Sequence, residues 1–226
     1  MTAVLAALLL LAAPASAGTP PMCKEAANTR PRIVVRVGEF PTAVDHSRGI
    51  AEIDKAYPVK KPKGLLSQGL TVAEYRLHYS ADMEGACDKG CKAACAWVGA
   101  FTVDLTPVAV RILIPREYAP GSCEYEQLTK HEGEHDKLHR RRLDDLAKRM
   151  REALARVETQ PGLVGPIEAR DRQAAFDLLT DRMERVMRPI YDAHLAAVRE
   201  ENAALDSAAE YKRLGRACKN WLKKRH

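Results

Sequence analysis

His131, Glu132 and His135 stand in the run His131-Glu132-Gly133-Glu134-His135. This is the HExxH pattern, in which two imidazoles four residues apart leave one helix face toward a zinc ion and the glutamate between them faces a water on that ion. The chemistry such a set performs is hydrolysis of a peptide bond. Zinc polarises the scissile carbonyl and brings the pKa of its water near ~7, while the glutamate takes the proton and later hands it to the leaving amine.

The pattern is short enough to arise by accident, so its surroundings decide what it means. Leu128, His131, His135, Leu138, Leu146, Met150 and Leu154 fall at intervals of three, four or sums of these, the spacing of one helix face. Both histidines therefore belong to the apolar side, where an imidazole needs a hydrogen-bond partner or a metal. A solvated histidine pair, the bland alternative, would sit on the polar face. Gly133 reads as a place where the helix approaches a neighbouring strand closely, because an interior glycine costs about 1 kcal/mol relative to alanine.

A zinc site needs a third protein ligand, with each ligand atom ~2.0–2.2 Å from the ion. His139 continues the series, but it stands two further turns beyond His131, about 12 Å along a straight helix, too far to share one ion. The longer HExxHxxGxxH arrangement is excluded as well, since Leu138 and Arg141 occupy its glycine and third-histidine positions. The third ligand must come from another element.

Two stretches of good helix formers flank a break. One runs over 124–157 without proline, the other from 167 to about 212, and Glu158-Thr159-Gln160-Pro161-Gly162-Leu163-Val164-Gly165-Pro166 between them reads as a loop. A helical hairpin centred near residue 162 puts position 191 opposite position 133. His194 lies within a turn of that point, on the apolar stripe Phe176, Leu179, Met183, Met187, Ile190, His194, Ala197, and is the expected third ligand. Asp192 and Glu201 are held in reserve. Tyr191 is the expected phenol donor to the oxyanion of a tetrahedral intermediate. Pro189 should kink or break the second helix near Arg188.

The front half is rich in β-branched residues and turn formers, with expected strands at 32–37, 71–78, 97–104 and 108–114; Arg111 should face away from Val110 and Ile112. The resulting architecture is α+β: a small antiparallel sheet followed by a long helical hairpin that carries HExxH. Residues 18–226 form one domain, with a β-rich part over 18–120 and a helical part over 121–226.

The first seventeen residues, MTAVLAALLLLAAPASA, read as a secretory signal cleaved after Ala17, which makes the mature chain secreted or periplasmic. Their apolar run is too short to span a bilayer, and no other stretch approaches the ~20 apolar residues a membrane helix needs. Cys23, Cys87, Cys91, Cys95, Cys123 and Cys218 are then expected to form three disulfides. The four-residue spacing of Cys87, Cys91 and Cys95 would also suit a thiolate metal site, a reading that an oxidising compartment disfavours. A net charge of +6 admits an anionic partner such as an envelope surface. Nucleic acid is not expected, given export and the lack of a basic patch interleaved with aromatics. Arg140, Arg141 and Arg142, beside Asp136, Asp144 and Asp145, read as a salt-bridged helix face.

HEGEH within LTKHEGEHDKLH, followed by IYDAHLAAVREENAALD, resembles a family of bacterial secreted domains predicted to be zinc-dependent proteases. The resemblance covers roughly residues 124–206 and is most specific at HExxH. It implies a zincin-type site with a ligand from the helix after the motif, in the region of Tyr191 and Asp192.

Three function classes follow. The leading one is a zinc peptidase of gluzincin-like layout acting on a peptide or protein, with His131, His135 and His194 as ligands and Glu132 as general base. The second is a non-catalytic envelope protein with a structural or vestigial zinc site, which has no use for Glu132 beside an open coordination position. The third is a disulfide-stapled binding module, which holds no metal.

Overall fold

Phe101, Val103 and Leu105 are buried while Thr102 and Asp104 between them are not, the alternation of a strand with one face on a core. They belong to the strand around which the fold is built. The computed structural model describes residues 21–26, 29–39, 41–57, 69–158 and 164–221; the leader expected over 1–17 lies outside them. The elements in order are α1 (Pro21–Ala26), β1 (Arg32–Val37), β2 (Thr42–Asp45), α2 (Ile50–Ala56), β3 (Leu70–Cys87), β4 (Ala94–Leu113), α3 (Cys123–Glu158), β5 (Val164–Ile167), α4 (Arg172–Leu205) and α5 (Ala208–Ala217). The class is α+β.

β4 is the hub of the sheet. β3 runs antiparallel along its whole length, while β1 and β2 pair with it in parallel and β5 antiparallel. The sheet is therefore mixed, where an antiparallel one was expected, because alternation of burial reports which face of a strand is covered and says nothing of its partner's direction. The strands expected at 97–104 and 108–114 are one strand. Glu74 pairs with Ala109 and Tyr75 with Pro107, so Val108 is the extra residue of a bulge, and the bulge accommodates a proline that cannot donate to the ladder. Arg111 faces away from buried Val110 and Ile112, toward the Tyr57 hydroxyl at 3.3 Å.

α3 and α4 cover one face of the sheet. Leu143, Leu146, Ala147, Met150 and Leu154 of α3 and Leu179, Met183 and Met187 of α4 pack with Phe101, Val103 and Leu105 into the main core, closed from the sheet by Tyr75, Leu77 and Tyr79. Each buried Leu, Met, Val or Phe among them contributes about 1.5–3 kcal/mol by leaving water. The seven residues assigned to the buried stripe of α3 are all buried. α4 differs from expectation at three points. It starts at Arg172 because β5 and a single 3-10 turn, Ala169–Asp171, occupy the residues before it. It continues through Pro189 instead of breaking, with Met187 buried before the proline and Ile190 packed on the same core after it. It ends at Leu205, and Ser207 starts α5 by accepting from the Glu210 amide at 3.3 Å.

Three disulfides form, Cys23–Cys95, Cys87–Cys91 and Cys123–Cys218, and among the described residues no cysteine is free. A thiolate site at Cys87, Cys91 and Cys95 is thereby excluded, since all three are consumed. Gly133 does not mark a close approach: a Cβ there would meet nothing within 4 Å. Gly133→Ala should then raise stability by up to about 1 kcal/mol, the difference in helix propensity, as read by urea unfolding. A loss instead would mean that the helix needs the glycine for another reason.

Candidate metal centre

Helix α3 presents His131, Glu132 and His135 on its buried side, 6 %, 5 % and 6 % exposed. The two imidazoles meet edge to face, 5.0 Å between ring centres. Their Nε2 atoms converge on one oxygen: Asp206 Oδ1 lies 3.2 Å from His131 Nε2 and 3.3 Å from His135 Nε2. Their other nitrogens are both engaged. His131 Nδ1 faces Glu210 Oε1 at 3.3 Å, and His135 Nδ1 faces Asn202 Oδ1 at 2.6 Å. Each ring thus faces an acceptor at both nitrogens, an arrangement met either by an imidazolium that donates twice or, with the proton kept on Nδ1, by a cation that takes the Nε2 lone pair.

A divalent ion fits that place. Ligand atoms held tetrahedrally at ~2.1 Å from an ion are about 3.4 Å apart, close to the two spacings observed. His131, His135 and Asp206 form the group able to hold a metal among the described residues. The outward hydrogen bonds from Nδ1 to Glu210 and Asn202 are the kind that orient imidazole ligands in metal proteins. Burial alone opposes charge on both histidines, yet the Asp206 hydrogen bond and the Glu132 charge outweigh it, and His135 is pushed up to about 9. Asp206, despite its own burial, is held well below the usual carboxylate range by hydrogen bonds from both histidines. The neighbouring carboxylates thus favour positive charge on the imidazoles.

Glu132 is placed by the start of β3. The Thr71 hydroxyl lies 2.9 Å from both the Glu132 backbone oxygen and its Oε2. Gly69, just before the strand, leaves room for the side chain: a Cβ there would stand 2.8 Å from Oε1. Burial raises the Glu132 carboxyl, against the pull of the two histidines and Thr71. Glu134 points the other way, exposed and paired with Lys137 at 2.8 Å.

His194 is not part of this group. It is buried on α4, as its stripe requires, but its ring packs beside Tyr75 and Tyr191 and bonds the Arg142 backbone, two turns of α3 beyond His135 and about 10 Å along the axis. Asp192 is exposed, and Glu201 is taken by Arg141 and Arg142. Tyr191 stacks on His194 at 6.2 Å between ring centres and packs on the core. The phenol at the site is that of Tyr211, hydrogen-bonded to Asp206, near Glu132, and pushed up to about 12 chiefly by burial. The difference from the expected placement lies in the hairpin's centre. His131 facing Asp206 and His135 facing Asn202 place it between residues 168 and 169, where the sequence suggested 162, and an error at the turn doubles at the facing position. A signal for Asp206 was present: Ser207-Ala208-Ala209-Glu210 has the S-x-x-E form of a helix start, which marks a break just after an acidic residue.

His139, one turn past His135, is buried with Nδ1 unpartnered, its ring 5.7 Å from that of Tyr75, whose hydroxyl is also unpartnered. Burial and the charges of His135 and His194 push it down to about 4, Asp136 opposing. Folding thus holds a neutral imidazole that the unfolded chain protonates below about 6.5. The stability this gives is whole above 6.5 and is lost as pH falls toward 4. Between pH 7 and 4.5, wild type should lose on the order of 1–3 kcal/mol more than His139→Phe in urea unfolding. Parallel losses would contradict the shift.

Comparison of the chain with protein-family models, with curated proteins and with solved structures finds no match in any of the three.

Proposed function

We propose that the protein is a zinc-dependent peptidase of zincin type, with His131, His135 and Asp206 as metal ligands and Glu132 as general base. The observation that carries this is the convergence of the two Nε2 atoms on Asp206 Oδ1, at 3.2 and 3.3 Å, with an acceptor at each Nδ1. Two imidazoles and one carboxylate are a donor set that suits zinc. Glu210 stands on the far side of the His131 ring and is not a fourth ligand, so a coordination position stays open for substrate. The ion, when bound, supplies Lewis acidity to a carbonyl and acidifies water. Glu132, beside His131 on the same face and steadied by Thr71, accepts the proton, and Tyr211, in place of Tyr191, offers the phenol.

Export to a secreted or periplasmic location agrees with three disulfides and with the lack, among the described residues, of a helix long and apolar enough to cross a membrane. The burial of Glu132 favours a second reading, a metal centre that only ties α3 to the end of α4. One experiment divides them: strip the purified chain with a chelator, titrate zinc, and follow both stoichiometry and hydrolysis of a quenched fluorescent peptide mixture. We expect one zinc per chain and activity that returns with it. One zinc without hydrolysis leaves the structural centre; no zinc ends both.

A further inference from the structure

α5 buries one side chain, Leu214, and at ten residues it is too short to hold its own shape in water. Its hold on α3 comes from a few fixed points. At its front, Glu210 reaches His131 Nδ1 at 3.3 Å. Along it, Arg213 binds both Glu210 oxygens, at 2.6 and 2.8 Å, and approaches Gln127 Oε1 of α3 at 3.4 Å. At its rear, the Cys123–Cys218 disulfide joins the residue after α5 to the first residue of α3, and the Asn220 amide donates to buried Glu124 at 2.8 Å.

Glu210 has a local alternative that it does not take. It is the N3 residue of a Ser-x-x-Glu helix start, where the glutamate commonly bonds the backbone N–H of the capping residue. Ser207 makes its half of that box, accepting from the Glu210 amide. The Glu210 carboxylate is instead directed at His131 and Arg213. Its position is spent on an imidazole, which is what a group that orients a metal ligand does.

We propose that Glu210 is the positioning residue of His131 and that the Cys123–Cys218 disulfide keeps it there, making α5 a latch on the affinity of the metal centre. This rests on the metal reading above and adds how the centre is held. With Nδ1–H bonded to Glu210, the His131 ring is fixed in the tautomer and rotation that aim Nε2 at Asp206. Without it the ring must be ordered by the ion itself.

The test is competition for zinc against a chromophoric chelator, on the oxidised chain and four variants. Glu210→Ala should weaken zinc binding by ~10–100-fold, the usual worth of an outer partner of a ligand histidine. Glu210→Gln keeps an acceptor oxygen and should recover most of that loss. The double variant Cys123→Ser with Cys218→Ser should lose affinity to a similar degree, and adding Glu210→Ala to it should cost little more, because both act on the same contact. Affinity unchanged in Glu210→Ala, or losses that simply multiply in the combined variant, would overturn the latch. If the double variant proves unfolded by circular dichroism, Glu210→Ala against Glu210→Gln in the intact chain decides. Absence of zinc from the wild type would instead remove the metal reading, and the latch with it.

Discussion

Asp206→Ala is expected to abolish stoichiometric zinc binding, while His194→Ala leaves it intact. Asp206 Oδ1 is the one oxygen that both Nε2 atoms address, so its removal deletes a ligand and the negative charge that makes the cluster attractive to a cation. The loss should exceed the ~10–100-fold associated with an outer partner, because the ligand itself is gone. The protein should remain folded, since Asp206 caps the end of α4 and is partly exposed, away from the main core. His194 carries the opposite expectation. Its ring bonds the Arg142 backbone and packs among Tyr75 and Tyr191, so its truncation should cost stability, in the range usual for opening a buried cavity, with zinc content unchanged. Metal analysis of the two purified variants checks both. Zinc kept by Asp206→Ala and lost by His194→Ala would restore the ligand set that the sequence suggested.

Glu132→Gln should leave zinc in place and lower peptide hydrolysis by at least ~10²-fold, within the ~10²–10⁴-fold range of a general base. The substitution keeps the shape of the side chain and an oxygen for the Thr71 hydroxyl, and it removes only the capacity to take a proton. Burial already opposes the charge on Glu132, so the apo variant should melt no lower than wild type. Glu134→Gln is the control on the same helix. Glu134 is exposed and paired with Lys137, and its replacement should alter neither zinc nor rate appreciably. Equal losses from both would indicate damage to the helix. A full rate in Glu132→Gln would leave the centre as a structural tie.

The sequence disclosed what is local and periodic. The stripe from Leu128 to Leu154 repeats at helical intervals, and each of its members is buried. HExxH is five residues of one helix, so its convergence needs no knowledge of the rest of the chain. Asp206 was hard to place because its position depends on how many residues the turn consumes, and a short strand and a 3-10 turn took more than a loop would; the helix start at Ser207 marked only the break beside it. His194 satisfied the same rule of buried spacing as a ligand would, and the Arg142 backbone turned out to be the hydrogen-bond partner of its ring. Parallel pairing of β1 and β2 with β4 was hidden for a similar reason: partners distant in sequence leave no periodic mark.

The hairpin of α3 and α4 has its turn at one end and the group of His131, His135 and Asp206 at the other. Helix pairs fray from the end that no loop joins, and here that end carries two nested closures, Cys123 with Cys218 and, inside it, His131 and His135 with Asp206. An ion binding the folded form raises the free energy of opening there by mass action. With the ion removed, the tail of α4 should be the first segment cut by an added protease, long before the helices part around Leu146 and Met187. A bound metal would then set how long the protein survives among proteases, whether or not it is one itself.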